Sequence, residues 1–274
     1  MTDKKKAAVS FFDDLASPGY GLEPKFFSAM GKRVVEAAEI QPGHRVLDVA
    51  AGRGAILFPA ANKAGSTGEV IGIDLADSMV RETSAEITTR RMTNTKIMKM
   101  DAENLEFSDN FFDRVLCGFA LFFFPNLKRT LAEFRRVIKR NGRLVVSTFA
   151  RGGYPWVWYE NLLEKHGISS RDRELDGYMT DLLDESAHLK SVLEQAGFSK
   201  VEVAEEEYVD TYPDATAWWD QVLFSSDGAL LRAMNEDQME RFKSAAFEHI
   251  NNSADASGFR AVYKALIASG KMFL

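Results

Sequence analysis

The feature of this sequence that most limits its fold is a regular alternation of short apolar runs with segments of helical spacing. The apolar runs are rich in β-branched residues and are bounded by turn residues, as strands usually are. Between them, apolar residues recur every three or four positions, which is typical of amphipathic helices. This alternation predicts a parallel sheet with helices on both faces. The predicted strands are residues 44–50, 70–75, 96–100, 112–118 and 143–149, and helices are predicted at 78–91 and 127–139.

The rest of the chain is predicted to cap and complete this sheet. Residues 1–42 have helical spacing and indicate an N-terminal helical cap, which precedes a Rossmann-like core at 43–150. In residues 151–274, alternating apolar and polar residues predict strands near 199–209 and 259–267. Helical insertions are predicted near 151–185 and 213–252. The predicted fold class is therefore α/β, a seven-stranded Rossmann-like sheet with a helical cap and helical insertions.

Two local signals predict where helices begin and end. Asp77 precedes the helix at 78–91 and is predicted to be its N-cap. Asn141 and Gly142 follow the helix at 127–139 and are predicted to stop it before the fifth strand.

Composition and charge exclude several classes of protein. The 274 residues carry 34 Lys plus Arg against 40 Asp plus Glu, a net charge of -6, which argues against a nucleic-acid partner. The single cysteine and four histidines do not form a metal-binding pattern, and a reducing cytoplasm is the expected location. The longest apolar stretch, 117–125, is shorter than the roughly twenty residues that span a bilayer, so we expect no stable membrane insertion. Lys4 to Lys6 is expected to be a solvated terminus.

The loop after the first predicted strand has the composition of a ligand-binding turn. Small residues at positions 50, 51, 52 and 54 allow the backbone to approach a ligand closely. Asp74, at the end of the second strand, can accept hydrogen bonds from both hydroxyls of a ribose. A nicotinamide-dependent oxidoreductase remains an alternative, but Leu57 stands where that fingerprint has its third glycine.

Two further acidic residues favour a cationic ligand. Asp48 directly precedes the loop, where it would repel a pyrophosphate, and Asp101 follows the third strand. Carboxylates attract an ammonium or sulfonium group, and the carboxyl ends of parallel strands meet in one crevice. The three aspartates together predict a site for a nucleoside with a positively charged tail.

Five segments in this order resemble the class I S-adenosylmethionine-dependent methyltransferases, and most closely their UbiE-like group of ubiquinone and menaquinone C-methyltransferases. The segments are residues 46–54, 74–79, 101–107, 110–113 and 134–144. The resemblance implies a seven-stranded class I sheet, S-adenosylmethionine as cofactor and S-adenosylhomocysteine as product. The stretch after the fourth strand lacks the arginine usual in quinone methyltransferases and the histidines of many relatives, so the acceptor is not identified.

The resemblance also implies roles for individual residues. Backbone groups around the first loop would hold the methionine end, and Asp74 would bind the ribose. Asp101 would accept from the adenine amino group and the Ala102 N–H would donate to a ring nitrogen. The full set of cofactor-binding residues implied is Tyr20, Asp48, Ala50, Ala51, Gly52, Asp74, Leu75, Met79, Asp101, Ala102 and Cys117. Leu75 and Met79 would pack on the adenine, Cys117 would offer its carbonyl, and Tyr20 would close over the cofactor.

Aromatic residues beyond this set are candidates for an acceptor pocket. Phe119, Phe122, Trp156 and Trp158 could line it, although such clusters also form cores. The predicted function is methyl transfer from S-adenosylmethionine to an apolar small molecule, quinone-like or a secondary metabolite. The alternative is a protein of the same fold that binds the cofactor but has lost methyl transfer, acting as a cyclase-like enzyme or a binding module. No residue in the sequence is assigned as a general base, and no metal site is predicted.

Overall fold

Seven strands and nine helices are defined in the described part of this computed structural model. The structure describes residues 2–15, 25–153, 157–168, 182–223, 228, 231 and 234–272. The strands are β1 (Arg45–Val49), β2 (Glu69–Asp74), β3 (Thr95–Lys99), β4 (Phe112–Gly118), β5 (Ile138–Phe149), β6 (Ser199–Tyr212) and β7 (Phe259–Lys271). The helices are α1 (Asp3–Leu15), α2 (Lys25–Ala37), α3 (Leu57–Ala64), α4 (Asp77–Thr89), α5 (Leu127–Val137), α6 (Val157–Lys165), α7 (Ser186–Gln195), α8 (Ala215–Leu223) and α9 (Glu236–Ser253). A short 3₁₀ turn at Leu121–Phe123 follows β4.

The strands form one sheet in the order β3-β2-β1-β4-β5-β7-β6. The five strands from β3 to β5 in this order are parallel, whereas β7 lies antiparallel between β5 and β6. The predicted seven-stranded Rossmann-like sheet is therefore confirmed, with one antiparallel strand in an otherwise parallel sheet. The strand order reverses between β1 and β4, and open α/β sheets bind ligands at the carboxyl ends of the strands beside such a reversal.

Two layers of helices cover the central parallel strands β1, β2, β4 and β5, and most residues of these strands are buried as a result. On one face, Val34 and Val35 of α2 pack with Val46 of β1 and Leu116 of β4. On the opposite face, Phe134 of α5 belongs to the core cluster that contains the inward residues of β1, β4 and β5. A third cluster joins α2 to α6, α8, α9 and the first half of β7, which continues the helical cover beyond the parallel strands.

Helix α2 approaches the loop after β1 closely because it carries a glycine at the contact. A Cβ atom at Gly31 would lie 2.2 Å from the carbonyl oxygen of Ala55. Any larger residue at this position would push α2 away from the carboxyl end of β1. The N-terminal helical cap is thus packed directly on the segment that the sequence marks as a ligand-binding turn.

Both predicted helix signals are wrong in detail. Ala76, not Asp77, has the extended N-cap conformation, and Asp77 is the first helical residue, where its carboxylate pairs with Lys99 at 2.6 Å. Helix α5 ends at Val137, and Asn141 lies inside β5 with a φ of 63°. Its N–H donates to the carbonyl of Met272 at 2.9 Å, so pairing with the segment after β7 holds this irregular residue within the sheet.

Candidate functional site

The three aspartates singled out in the sequence lie at the carboxyl ends of adjacent parallel strands. Asp48 is the penultimate residue of β1, Asp74 is the last residue of β2, and Asp101 follows β3 by two residues. The register pairs Val49 with Ile73, and it pairs Asp74 with Lys99. The aspartates therefore form one acidic row along the crevice beside the strand reversal.

Asp48 is a buried carboxylate with unused hydrogen-bonding capacity. It is only 1% exposed, and its Oδ2 has no hydrogen-bond partner. Burial and then the charge of Asp74 raise the pKa of Asp48 well above its usual range, and a hydrogen bond from the Leu57 backbone opposes them. A cationic group placed against this carboxylate would compensate both the burial and the missing partner.

The loop after β1 makes an internally bonded turn. Ala50 and Gly52 both have left-handed backbone angles, with φ values of 54° and 49°. The Ala51 N–H donates to the carbonyl of Ile73 at 2.9 Å, which ties the loop to β2. Thr83 of α4 is fully buried, and its hydroxyl donates to the carbonyl of Gly52 at 2.6 Å. The turn is therefore fixed from two neighbouring elements.

Asp74 is held by backbone donors on both carboxylate oxygens. The Gly52 N–H donates to Oδ2 at 2.9 Å, and the Ala76 N–H donates to Oδ1 at 3.0 Å. Burial raises the pKa of Asp74, while hydrogen bonds from the backbone at positions 76, 52 and 75 lower it. The carboxylate is thus oriented by the loop and still lies partly at the surface of the crevice.

At the end of the third strand, a lysine side chain contacts Asp101, the residue that is predicted to bind the adenine amino group. Lys5 of α1 donates to both oxygens of Asp101 at 2.9 and 2.7 Å and pairs with Glu103 at 2.8 Å. Lys5 is 8% exposed, so the expectation that Lys4 to Lys6 is a solvated terminus is wrong for this residue. Lys5 could not be found from the sequence because its partner lies 96 residues away.

One of the residues predicted to contact the adenine, Met79, is packed against the same helix. Met79 and Ala76 are each 1% exposed and contact Phe12 of α1. Ala102 is also buried, and Leu75 is partly buried. Asp13 of α1 accepts hydrogen bonds from the Ser78 N–H at 2.8 Å and from its hydroxyl at 2.6 Å. Phe12 and Asp13 were not predicted as site residues, since nothing in the sequence around them indicates their partners.

A small cavity of about 50 Å³ lies at the end of the crevice next to β1 and β4. Its walls come from α2, the first loop and the end of β4, and its floor includes Asp48. The lining residues are Phe27, Gly31, Asp48, Ala50, Ala51, Ala55, Ile56, Gly118 and Phe119. The cavity thus joins an acidic group to aromatic walls.

Cys117 lies in β4 and is fully buried. Burial, followed by the charges of Asp48 and Asp74, raises the pKa of its thiol well above the usual range. A thiol that stays protonated is a poor nucleophile, so this side chain is suited to packing rather than to covalent chemistry.

The candidate acceptor residues fall into two aromatic groups. Phe119 contacts Phe27 at 5.5 Å and Phe149 at 4.9 Å between ring centroids, and Phe122 contacts Phe149 at 6.0 Å. Trp158 stacks instead on His249, with ring centroids 4.2 Å apart, in the layer of α6 and α9. Tyr20 and Trp156 lie outside the described residues.

The described residues contain no group of three or more His, Cys, Asp or Glu side chains that could hold a metal ion. In the same part of the chain, no helix has the length and apolar character needed to cross a membrane.

The sheet order and the acidic row define the class of protein. A seven-stranded sheet of this kind, with a turn after β1 and carboxylates at the ends of β1, β2 and β3, is the class I S-adenosylmethionine-dependent methyltransferase architecture. The YcgJ protein from Bacillus subtilis has the same fold, with a TM-score of 0.60 at 19% identity, covering 90% of this chain and 99% of that one.

The chain belongs to the ubiE/COQ5 methyltransferase family, whose model matches residues 27–207. Aklanonic acid methyltransferase DauC from Streptomyces sp. (strain C5) is 34% identical over 206 residues, 72% of this chain and 94% of that protein. The ubiquinone/menaquinone biosynthesis C-methyltransferase UbiE of Burkholderia multivorans is 31% identical over 220 residues, 73% of this chain and 87% of that protein. The resemblance seen in the sequence is confirmed, and the chain is a methyltransferase with S-adenosylmethionine as its cofactor.

Proposed function

We propose that this enzyme transfers the methyl group of S-adenosylmethionine to an apolar small molecule that enters beside the aromatic walls of the cavity. The observation that carries this proposal is the buried, unpartnered Oδ2 of Asp48 in a cavity lined by Phe27 and Phe119. A carboxylate suits the cationic end of the cofactor, while the rings suit an apolar acceptor. The reaction would belong to the one-carbon methyl transfers, EC 2.1.1.

Two buried groups of opposite charge support the fit of the methionine end. Asp48 offers an acceptor without a partner, and Arg53, in the loop that follows, has a buried Nη1 that also lacks one. An amino acid carries an ammonium and a carboxylate, so it could satisfy both groups. Gly52 leaves open space beside the loop, with no atom within 4 Å of a Cβ built on it. The loop backbone of Ala50, Ala51 and Gly52 would complete this end of the site.

The other predicted residues would hold the nucleoside. Asp74 would accept hydrogen bonds from the ribose hydroxyls, because its carboxylate is already oriented by Gly52 and Ala76. Asp101 and the Ala102 N–H would bind the adenine edge, with Leu75 and Met79 against its face. Cys117 would contribute its carbonyl and Tyr20 would close over the cofactor.

When bound, S-adenosylmethionine supplies a methyl group on a positively charged sulfur, and the sulfur leaves when a nucleophile attacks the methyl carbon in line. The acidic row would orient the cofactor, and the rings of Phe27, Phe119 and Phe122 would position the acceptor. The same rings would exclude water from the reacting carbon. Catalysis of this kind can come from positioning alone, and we assign no general base.

An apolar acceptor is also supported by the relatives. One relative is named for aklanonic acid and another for ubiquinone and menaquinone biosynthesis, so a quinone-like or secondary-metabolite acceptor is the first class to test. The net charge of -6 disfavours nucleic acid as the substrate. A cytoplasmic location, without stable insertion into a membrane, is part of the same proposal.

The test is methyl transfer from isotopically labelled S-adenosylmethionine to panels of quinone-like and polyketide-like compounds, followed by mass spectrometry. We expect a product heavier by the labelled methyl group with the wild type and its loss with Asp48→Asn. Glu82→Gln is a matched control, because Glu82 lies on α4 and its carboxylate pairs with the exposed side chain of Arg81. Tight cofactor binding with consumption of an acceptor but no transferred label would instead support the cyclase-like alternative.

A further inference from the structure

A lysine and a phenylalanine of α1 contact residues that the proposed cofactor site assigns to adenine, namely Asp101 and Met79. Lys5 places its ammonium 2.7 and 2.9 Å from the two oxygens of Asp101. The amino group of adenine is also a hydrogen-bond donor, so both groups would use the same acceptor. The Lys5 side chain is 9% exposed and also pairs with Glu103, while the side chain of Asp101 is 36% exposed.

Phe12 covers the apolar side of the same position. Its ring packs against Ala76 and Met79, and each of these two residues is 1% exposed. On its other side, the ring meets Phe123 edge to face at a centroid distance of 5.2 Å. Phe123 follows β4, whereas Ala76 follows β2, so this one ring spans the crevice between the two sides of the strand reversal.

Asp13 anchors the far end of the helix. It accepts from the N–H and the hydroxyl of Ser78 in the first turn of α4. Lys5 and Asp13 are eight residues apart, about 12 Å along a helix. Helix α1 is therefore bound at two points across the strand ends, and the ring of Phe12 packs against residues at these strand ends.

We propose that α1 is an autoinhibitory strap that competes with the adenine of the cofactor for Asp101 and Met79. The strap must leave these residues before the nucleoside can bind. The apparent affinity is therefore the intrinsic affinity multiplied by the fraction of molecules in which the strap is open. This inference rests on the proposed placement of the cofactor, because only that placement sets adenine against the residues that α1 covers.

The strap can be weakened without touching the proposed site. Lys5→Met keeps the length and the apolar stem of the side chain but removes the ammonium that contacts Asp101. A partly exposed ion pair contributes little free energy, so its loss should change the equilibrium between the closed and the open strap about fivefold. We therefore expect Lys5→Met to bind S-adenosylhomocysteine about fivefold more tightly than the wild type.

Lys6→Met is the matched control. Lys6 is the next residue of the same helix, and its ammonium pairs with Asp3, a side chain that is 99% exposed. The substitution removes the same charge from α1 but does not change the contact with Asp101. Affinity for S-adenosylhomocysteine should stay within about twofold of the wild type.

The experiment is calorimetric titration of the wild type, Lys5→Met and Lys6→Met with S-adenosylhomocysteine, together with hydrogen exchange of the wild type. We expect tighter binding for Lys5→Met alone, and faster exchange of the α1 amides when S-adenosylhomocysteine is bound. Weaker binding by Lys5→Met, or slower exchange in α1, would show a lid that closes over the ligand, and unchanged binding would show that Lys5 does not compete with it; each of these results would overturn the inference. Absence of binding to all three proteins would overturn the proposed cofactor placement, and the competition with it.

Discussion

The backbone N–H of Gly52 donates a 2.9 Å hydrogen bond to Oδ2 of Asp74, which joins the loop after β1 to the end of β2. This bond links two residues that the proposed site assigns to different parts of one ligand, the methionine end and the ribose. A change in the loop conformation would therefore also turn the Asp74 carboxylate. The conformation of the loop is thus the first property to test.

Gly52 and Gly54 should respond differently to alanine, although both have left-handed backbone angles. A Cβ at Gly52 meets no atom within 4 Å, so Gly52→Ala should cost about 1 kcal/mol for the backbone angle alone. At Gly54 a Cβ would lie 2.4 Å from the ring of Phe58, and Gly54→Ala should cost at least about 2 kcal/mol more. Urea unfolding of both variants measures the difference. Equal losses of stability would contradict the packing described for Gly54.

Thr83→Val should loosen the loop while preserving the shape of α4. The hydroxyl of Thr83 is the buried donor to Gly52, so its loss should cost about 1 to 3 kcal/mol and weaken cofactor binding. Thr88 makes a bond of the same type to the Ser84 carbonyl, but on the exposed side of this helix. Thr88→Val should change stability by less than about 0.5 kcal/mol. Similar effects of the two substitutions, by urea unfolding and calorimetry, would rule out a special role for the Gly52 contact.

Asp48 should make the stability of the protein depend on pH. Burial raises its pKa in the folded state above the ordinary value of 3.8, so the folded state binds more protons than the unfolded state above that pH. Stability must then fall as the pH rises, until the pH exceeds the pKa of the folded state. The free energy of unfolding of the wild type minus that of Asp48→Asn should therefore decrease between pH 5 and pH 8. A difference that stays constant or increases, measured by urea unfolding at each pH, would show that Asp48 carries no such cost.

Cys117 should not react with thiol reagents in the folded protein. Its burial and the charges of Asp48 and Asp74 keep the thiol protonated, and the thiolate is the reactive form. Ellman's reagent at pH 8 should modify less than about a tenth of the thiol in native protein and all of it in urea, given the usual contrast between buried and free thiols. Rapid modification of the native protein would contradict the position of Cys117 in the core of β4.

The parts of the fold that depend on local patterns could be predicted from the sequence. The strands were recognisable by their apolar runs, and the acids at 48, 74 and 101 were recognisable because carboxyl ends of parallel strands meet at one edge. The N-cap at Ala76 could not be found in this way, since Ala76 has no side-chain signal and Asp77 has a strong one. Asn141 marks a turn in most sequences, but here pairing with Met272 places it within a strand.

The contacts of α1 and the acceptor side of the site depend on residues far apart in the chain. Lys5 resembles a terminal solvated lysine until the fold brings Asp101 beside it. Phe119 and Trp158 are both aromatic candidates for the acceptor pocket in the sequence, but the fold assigns them to different ring clusters. Such sorting is decided by the packing of helices against the sheet, which no local pattern specifies.

The most direct measurement is calorimetric titration of the wild type, Asp74→Ala and Asp77→Ala with S-adenosylhomocysteine. Asp74 would make charge-assisted hydrogen bonds to the ribose, so its loss should weaken binding at least about tenfold. Asp77 is three residues along the chain, and its carboxylate is exposed and paired with Lys99, so Asp77→Ala should stay within about threefold of the wild type. Equal affinity of the wild type and Asp74→Ala would contradict the placement of the cofactor on the acidic row at the strand ends.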